Sequence, residues 1–165
     1  MADPASRHRL LVIDDDEKLL TVYEGLLTRH GFAVTTCPDS TQVMPILKSS
    51  AFEVALLDIR MPGLEGSDLL PLMKKACPEL PVILVSAYCD EASAAYYASL
   101  GAFAMITKPF SHEALLDAVG RALQQQEQIP ITLTSLSLRE GRDQLYRKLI
   151  LAALRRTGWN QVKAA

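Results

Sequence analysis

"LLVIDDDEKLL", residues 10–20, drives four apolar residues straight into three consecutive aspartates, Asp14, Asp15 and Asp16, before an apolar-periodic stretch begins. Carboxylates crowded in this way repel one another unless a cation intervenes. Either the three point into water at a strand end, or some of them hold a metal. The remainder of the chain decides which.

Working outward, short apolar runs alternate with segments of helical spacing. The runs predict strands over 9–14, 32–36, 54–58, 82–85 and 103–106. Most are nearly continuous apolar stretches, as expected for parallel strands covered on both faces. Helices are predicted over 17–29, 41–48, 68–76, 91–100 and 113–126. Gly31 and Gly101 stand where helices should stop, and Ser40, Ser67 and Ser111 where they should be capped. Pro71 falls near the start of its helix, where it is tolerable, whereas Pro45 predicts a kinked or short second helix. Five β–α units in series give an α/β fold, a five-stranded doubly wound parallel sheet with right-handed crossovers.

Such sheets bind ligands at the carboxyl ends of their strands. Asp14 and Asp15 close the first predicted strand and Asp58 the third, Ser86 follows the fourth, and Lys108 follows the fifth. One crevice should therefore collect three carboxylates, a hydroxyl and an ammonium. A hard divalent cation explains the acidic cluster, since Mg²⁺ takes oxygen ligands and commonly uses one or two carboxylates plus a phosphate oxygen. Asp15 and Asp58 would ligate it, with Asp14 acting through water. Asp16, just before a helix, reads instead as its N-cap.

The 165 residues carry a formal net charge of −2, unevenly spread. Residues 1–123 hold 10 basic and 16 acidic side chains, residues 124–165 hold 7 and 3. That split suggests two functional segments, the second suited to a polyanion. Three scattered cysteines with no CxxC pair argue against a disulfide framework or zinc site and for a reducing compartment. No apolar run is long enough to span a membrane and the N-terminus lacks a secretory core, so no membrane partner and a cytoplasmic location are expected. His8, His30 and His112 follow no ligand spacing and read as surface or capping residues.

The motifs "VIDDD" (12–16), "LLDIRMPG" (56–63), "VSAY" (85–88) and "TKPF" (107–110), in this order, closely resemble the receiver domain of two-component response regulators, over about residues 8–126. The resemblance implies a flavodoxin-like sheet of order 2-1-3-4-5 and a phosphorelay function in which Asp58 accepts a phosphoryl group from a sensor histidine kinase. It implies a Mg²⁺ site of Asp14, Asp15, Asp58 and the Arg60 backbone carbonyl. Ser86, Lys108 and the backbone N–H groups of Ile59 and Ala87 would bind the phosphoryl oxygens. The peptide before Pro109 would be cis. Receivers usually carry Tyr or Phe three residues before the lysine, a ring that swings inward on activation; here that switch position, paired with Ser86, is Met105, with Phe103 expected to share its facing. A thioether is flexible enough to fill the same gap.

Residues 1–8 read as a tail, 9–126 as the receiver and 127–138, with "IPITLTSLSL", as a linker. Residues 139–165 read as a helical segment with an apolar stripe of Leu145, Leu149 and Ala152, widened by Leu151 and Leu154. "LILAALRRTGWNQVKAA" (149–165) resembles the start of the Fis-like helix-turn-helix domain of nitrogen-regulation-class regulators. That resemblance implies a transcription-regulating output and a homodimer. The recognition helix would lie beyond Ala165, so DNA sequence would be read only through the complete output domain, leaving Arg155, Arg156 and Lys163 for phosphate attraction.

Two competing functions are weighed. A receiver-only adaptor would act by protein contact and helix-mediated dimerisation. An aspartyl-phosphate phosphatase would need a second acidic residue two positions after its nucleophile, where this chain has Arg60. The sequence therefore favours a phosphoacceptor signalling protein over an enzyme.

Overall fold

Alternate residues of the apolar runs face opposite sides of a single sheet. In β1 (Arg9–Ile13) Leu10 and Val12 pack on one side, Leu11 and Ile13 on the other. The same alternation holds in β3 (Val54–Asp58), which is buried along its whole length. This is a computed structural model, and it describes residues 7–127. The predicted linker after Glu127, the helical stripe of Leu145, Leu149, Leu151, Ala152 and Leu154, and the basic Arg155, Arg156 and Lys163 all lie outside the described residues, as does most of the N-terminal tail. Glu127, expected to open the linker, is the last residue of a helix that begins at His112.

Five parallel strands, completed by β2 (Ala33–Cys37), β4 (Val82–Ser86) and β5 (Ala104–Thr107), form one sheet of order β2-β1-β3-β4-β5. Helices α1 (Glu17–Arg29) and α5 (His112–Glu127) cover one face through Leu20, Tyr23, Leu27, Leu115 and Val119. On the opposite face lie α2 (Val43–Ser49), α3 (Gly66–Ala76) and α4 (Glu91–Ser99), with Val43, Leu47, Leu69 and Met73 in the core. Order 2-1-3-4-5 places its switch point between β1 and β3, the strands that end in the aspartates.

Local chemistry explains most boundaries. Asp16 accepts hydrogen bonds from the N–H groups of Lys18 (2.9 Å) and Leu19 (3.3 Å) and so caps α1 as expected. Gly31 and Gly101 follow their helices at φ 88° and 96°, where a side chain would be strained. Ser111 Oγ caps α5 through the Ala114 N–H at 3.1 Å. His30 ends α1 with its ring against the Leu26 carbonyl.

Several expectations need correction. The N-terminal cap ahead of α2 is Asp39, whose carboxylate takes the Thr41 N–H at 2.8 Å, so Ser40 is freed for another role. Ser67 lies inside α3, which begins at Gly66 after Glu65 with no side-chain cap. Because α3 starts two residues earlier than predicted, Pro71 sits at its sixth position and removes one internal hydrogen bond there. The second helix is short, as Pro45 predicts: α2 spans seven residues with Pro45 in its first turn, where a missing N–H is tolerated, after a 3-10 turn over Ser40–Gln42. Ser86 is the last residue of β4, paired with Thr107, rather than the residue after it.

Candidate functional site

Three strand ends converge on one acidic pocket. Asp58 is the last residue of β3, Asp14 follows β1, and both are buried while Asp15 is exposed. One carboxylate oxygen from each of the three lies within 4.8 Å of the others. Lys108, just past β5, closes the group from the far side: its Nζ donates to Asp14 Oδ2 at 2.9 Å and to Asp58 Oδ1 at 3.1 Å. The peptide joining Lys108 to Pro109 is cis, as the motif implies.

Each acidic side chain has a distinct environment. Asp14 has both oxygens engaged, Oδ2 by Lys108 and Oδ1 by the Asp16 N–H at 2.9 Å. Burial pushes the Asp58 carboxyl above the usual carboxylate range; the Lys108 hydrogen bond and charge oppose this, and the Asp14 and Asp15 charges add to it. For Lys108, burial pulls downward but the hydrogen bonds and charges of Asp14 and Asp58 outweigh it, so its ammonium is held above the ordinary lysine value. A pocket with three carboxylates and one ammonium is short of positive charge. The donor set is oxygen-only and closely spaced, so these residues fit a hard divalent cation such as Mg²⁺.

The hydroxyl side of the site lies at β4. Ser86 Oγ donates to the Tyr88 carbonyl at 2.5 Å and accepts the Tyr88 N–H at 3.1 Å, so its hydroxyl is held in its own turn. Beside it opens a groove of about 580 Å³ lined by Arg60, Met61, Glu65, Ser86, Tyr88 and Tyr97, among others. Arg60 is exposed at this mouth, and so is Ala87 in the turn after Ser86.

Two sequence expectations change here. The Ile59 N–H, assigned to phosphoryl oxygens, donates to the Val85 carbonyl at 3.0 Å and extends the β3–β4 ladder past Asp58. That donor is committed to the sheet. Met105 packs against the core on the α2–α4 face of the sheet, whereas Phe103 packs against the core on the α1–α5 face. The two do not share a facing, because β5 begins at Ala104 and the strand alternation does not yet govern Phe103. Sequence reasoning also missed Tyr23, which is buried in α1 and stacks on Phe110 with ring centroids 6.0 Å apart, close enough to the pocket to feel the charges of Lys108, Asp14 and Asp58. Its spacing with Leu20 and Leu27 marks it as core, and only the fold shows what lies beside it.

Fold and pocket together define a class: single-sheet α/β domains with a lysine-closed acidic pocket at the strand ends. The chain belongs to the response regulator receiver domain family, whose sequence profile matches residues 10–120. Among curated relatives it is 37% identical over 120 residues to the DNA-binding transcriptional regulator NtrC of Klebsiella pneumoniae, covering 71% of this chain and 26% of that protein. It is 33% identical over 113 residues to the response regulator protein FleR of Pseudomonas aeruginosa, covering 68% and 24%. The chain thus matches about a quarter of the length of these relatives, over the receiver region. Among solved structures, a CheY-like receiver domain protein from Methanospirillum hungatei superposes with a TM-score of 0.70 at 30% identity, over 74% of this chain and 98% of that one. A receiver domain from Clostridium thermocellum gives 0.66 at 30% identity, over 73% and 97%. Among the described residues, no helix is long and apolar enough to cross a membrane.

Proposed function

We propose that this receiver is a phosphoacceptor of a phosphorelay: Asp58 takes a phosphoryl group from a phosphohistidine of a sensor kinase, and the change is relayed to a transcription-regulating output. The observation that carries this reading is the bridging of Asp14 and Asp58 by one ammonium, Lys108, beside a cluster of three carboxylates. The role of Asp58 is nucleophilic. Its oxygen forms a bond to phosphorus as the bond from phosphorus to the imidazole nitrogen breaks, the electron pair staying on the imidazole.

Charge develops on the equatorial phosphoryl oxygens during such a transfer, and positioned positive groups lower the barrier. Lys108, already within hydrogen-bond reach of Asp58, would turn to one of those oxygens. The Ser86 hydroxyl would leave its turn with Tyr88 to donate to another, and the Ala87 N–H stands next in the chain. Asp15 and Asp58 would hold Mg²⁺ directly, with the Arg60 carbonyl; Asp14, its two oxygens engaged by Lys108 and the Asp16 N–H, would act through water. The bound cation supplies the positive charge that neutralises phosphoryl and carboxylate together.

A relative named as a DNA-binding transcriptional regulator supports an output in DNA control; the homodimer and DNA contact through the complete output domain belong to this proposal. The protein acts as a switch that assists its own phosphorylation and hydrolysis, rather than as an enzyme turning over a substrate. The test is transfer from a kinase phosphorylated on histidine with labelled phosphate. Label should move to the chain as a hydroxylamine-sensitive acyl phosphate; a hydroxylamine-stable label, or none from any donor, contradicts the proposal.

A further inference from the structure

Four polar side chains are buried among the described residues: Asp14, Asp58, Ser86 and Ser40. The first three belong to the pocket. Ser40 does not, and it does not cap a helix either. It is 2% exposed, and its Oγ donates to the Pro62 carbonyl at 3.1 Å while accepting the Leu64 N–H at 3.1 Å. One hydroxyl therefore joins residues 22 and 24 positions further along the chain, on either side of Gly63.

Those residues form the middle of the loop that runs from Asp58 to α3. Its ends are fixed by Ile59 N–H to Val85 (3.0 Å) and Gly66 N–H to the Ile59 carbonyl (2.8 Å). Its middle is held against the β2–α2 loop by Ser40. Gly63 fits the same arrangement: at φ +91° it turns the loop, and a Cβ there would stand 3.1 Å from the Ser40 Oγ. The loop includes Arg60, whose backbone carbonyl belongs to the metal side of the pocket in the reading above.

We propose that Ser40 is a positioning residue for the phosphoacceptor pocket, fixing the loop after Asp58 so that the Arg60 backbone stands where a cation needs it. This rests on the proposed phosphoacceptor function. Hydrogen-bonded groups behind metal ligands typically change affinity about 10- to 100-fold when lost. Ser40 acts from two residues away, so the lower end, about tenfold, is expected.

The test is calorimetric Mg²⁺ titration of the full chain as wild type, Ser40→Ala and Ser40→Cys, with amide exchange followed at Leu64. Ser40→Ala should bind Mg²⁺ about tenfold more weakly and expose the Leu64 amide, and Ser40→Cys, near in volume but a weak donor, should fall between. Val119→Ala, a core truncation on the far α5 face, should lose stability yet keep wild-type affinity. Unchanged affinity in folded Ser40→Ala overturns the inference, as does an equal loss in Val119→Ala. Should Ser40→Ala fail to fold, Ser40→Cys is read by the same criterion. Wild type that binds no Mg²⁺ removes the metal site and the Ser40 role together; wild-type binding with both Ser40 variants unchanged removes only the latter.

Discussion

The Lys108 ammonium lies 3.1 Å from Asp58 Oδ1, and the same nitrogen reaches Asp14 at 2.9 Å. Residues 50 and 94 positions apart in sequence are thus drawn to one point by the strand order alone. Removing the ammonium should leave two buried carboxylates facing each other. Lys108→Met is expected to lose about 2 kcal/mol of stability near neutral pH, below the roughly 3–5 kcal/mol of a fully buried broken pair because the lysine side chain is 24% exposed. Urea unfolding measures it.

The sign of the pH dependence follows from Asp58. Its folded carboxyl is raised chiefly by burial, so protons bind the folded state more tightly than the unfolded chain. That contribution is fully present below the unfolded carboxylate pKa and is lost as pH rises through the raised folded value. Losing Lys108 raises Asp58 further. The deficit of Lys108→Met should therefore shrink as pH falls through the raised folded range of Asp58, and a deficit that grew on acidification would contradict this electrostatic account.

The three consecutive aspartates should separate by function. Asp15→Ala is expected to weaken Mg²⁺ binding more than Asp14→Ala. Asp16→Ala should leave affinity nearly intact and cost about 1 kcal/mol of stability through loss of the α1 cap. Titration and melting of the three variants would distinguish them; abolished binding in Asp16→Ala alone would shift the register by one residue.

Gly66 makes a prediction about the loop itself. A Cβ there would meet the Ile59 Cα at 2.8 Å, a backbone atom that cannot move aside cheaply. Gly66→Ala should destabilise by about 1–2 kcal/mol despite the better helix propensity of alanine. A melting curve equal to or above wild type would show that the approach of α3 to β3 relaxes freely.

Much of this was legible in the sequence, because the strands are buried on both faces and so appear as unbroken apolar runs. β3 and α1 fall where the pattern places them, and the acidic residues and Lys108 stand at strand ends that the β–α alternation alone identifies. What the sequence hid was competition among small polar residues. Asp39 and Ser40 are adjacent and both suit a helix start; Asp39 takes the Thr41 N–H, and Ser40 turns inward to Pro62 and Leu64. Likewise the Ile59 N–H is drawn into the ladder because β3 and β4 stay in register as far as Asp58 and Val85, so the next donor along meets the Val85 carbonyl. Facing at β5 failed for a similar reason, since period two holds only within a strand and Phe103 precedes it.

The central claim is that Asp58 is the phosphoacceptor and requires Mg²⁺. Intact-mass analysis after incubation with acetyl phosphate, with and without Mg²⁺, tests it most directly. Wild type should gain one acid-labile phosphate only with the metal, and Asp58→Asn should gain none. Full labelling of Asp58→Asn, or equal labelling without metal, would contradict the account.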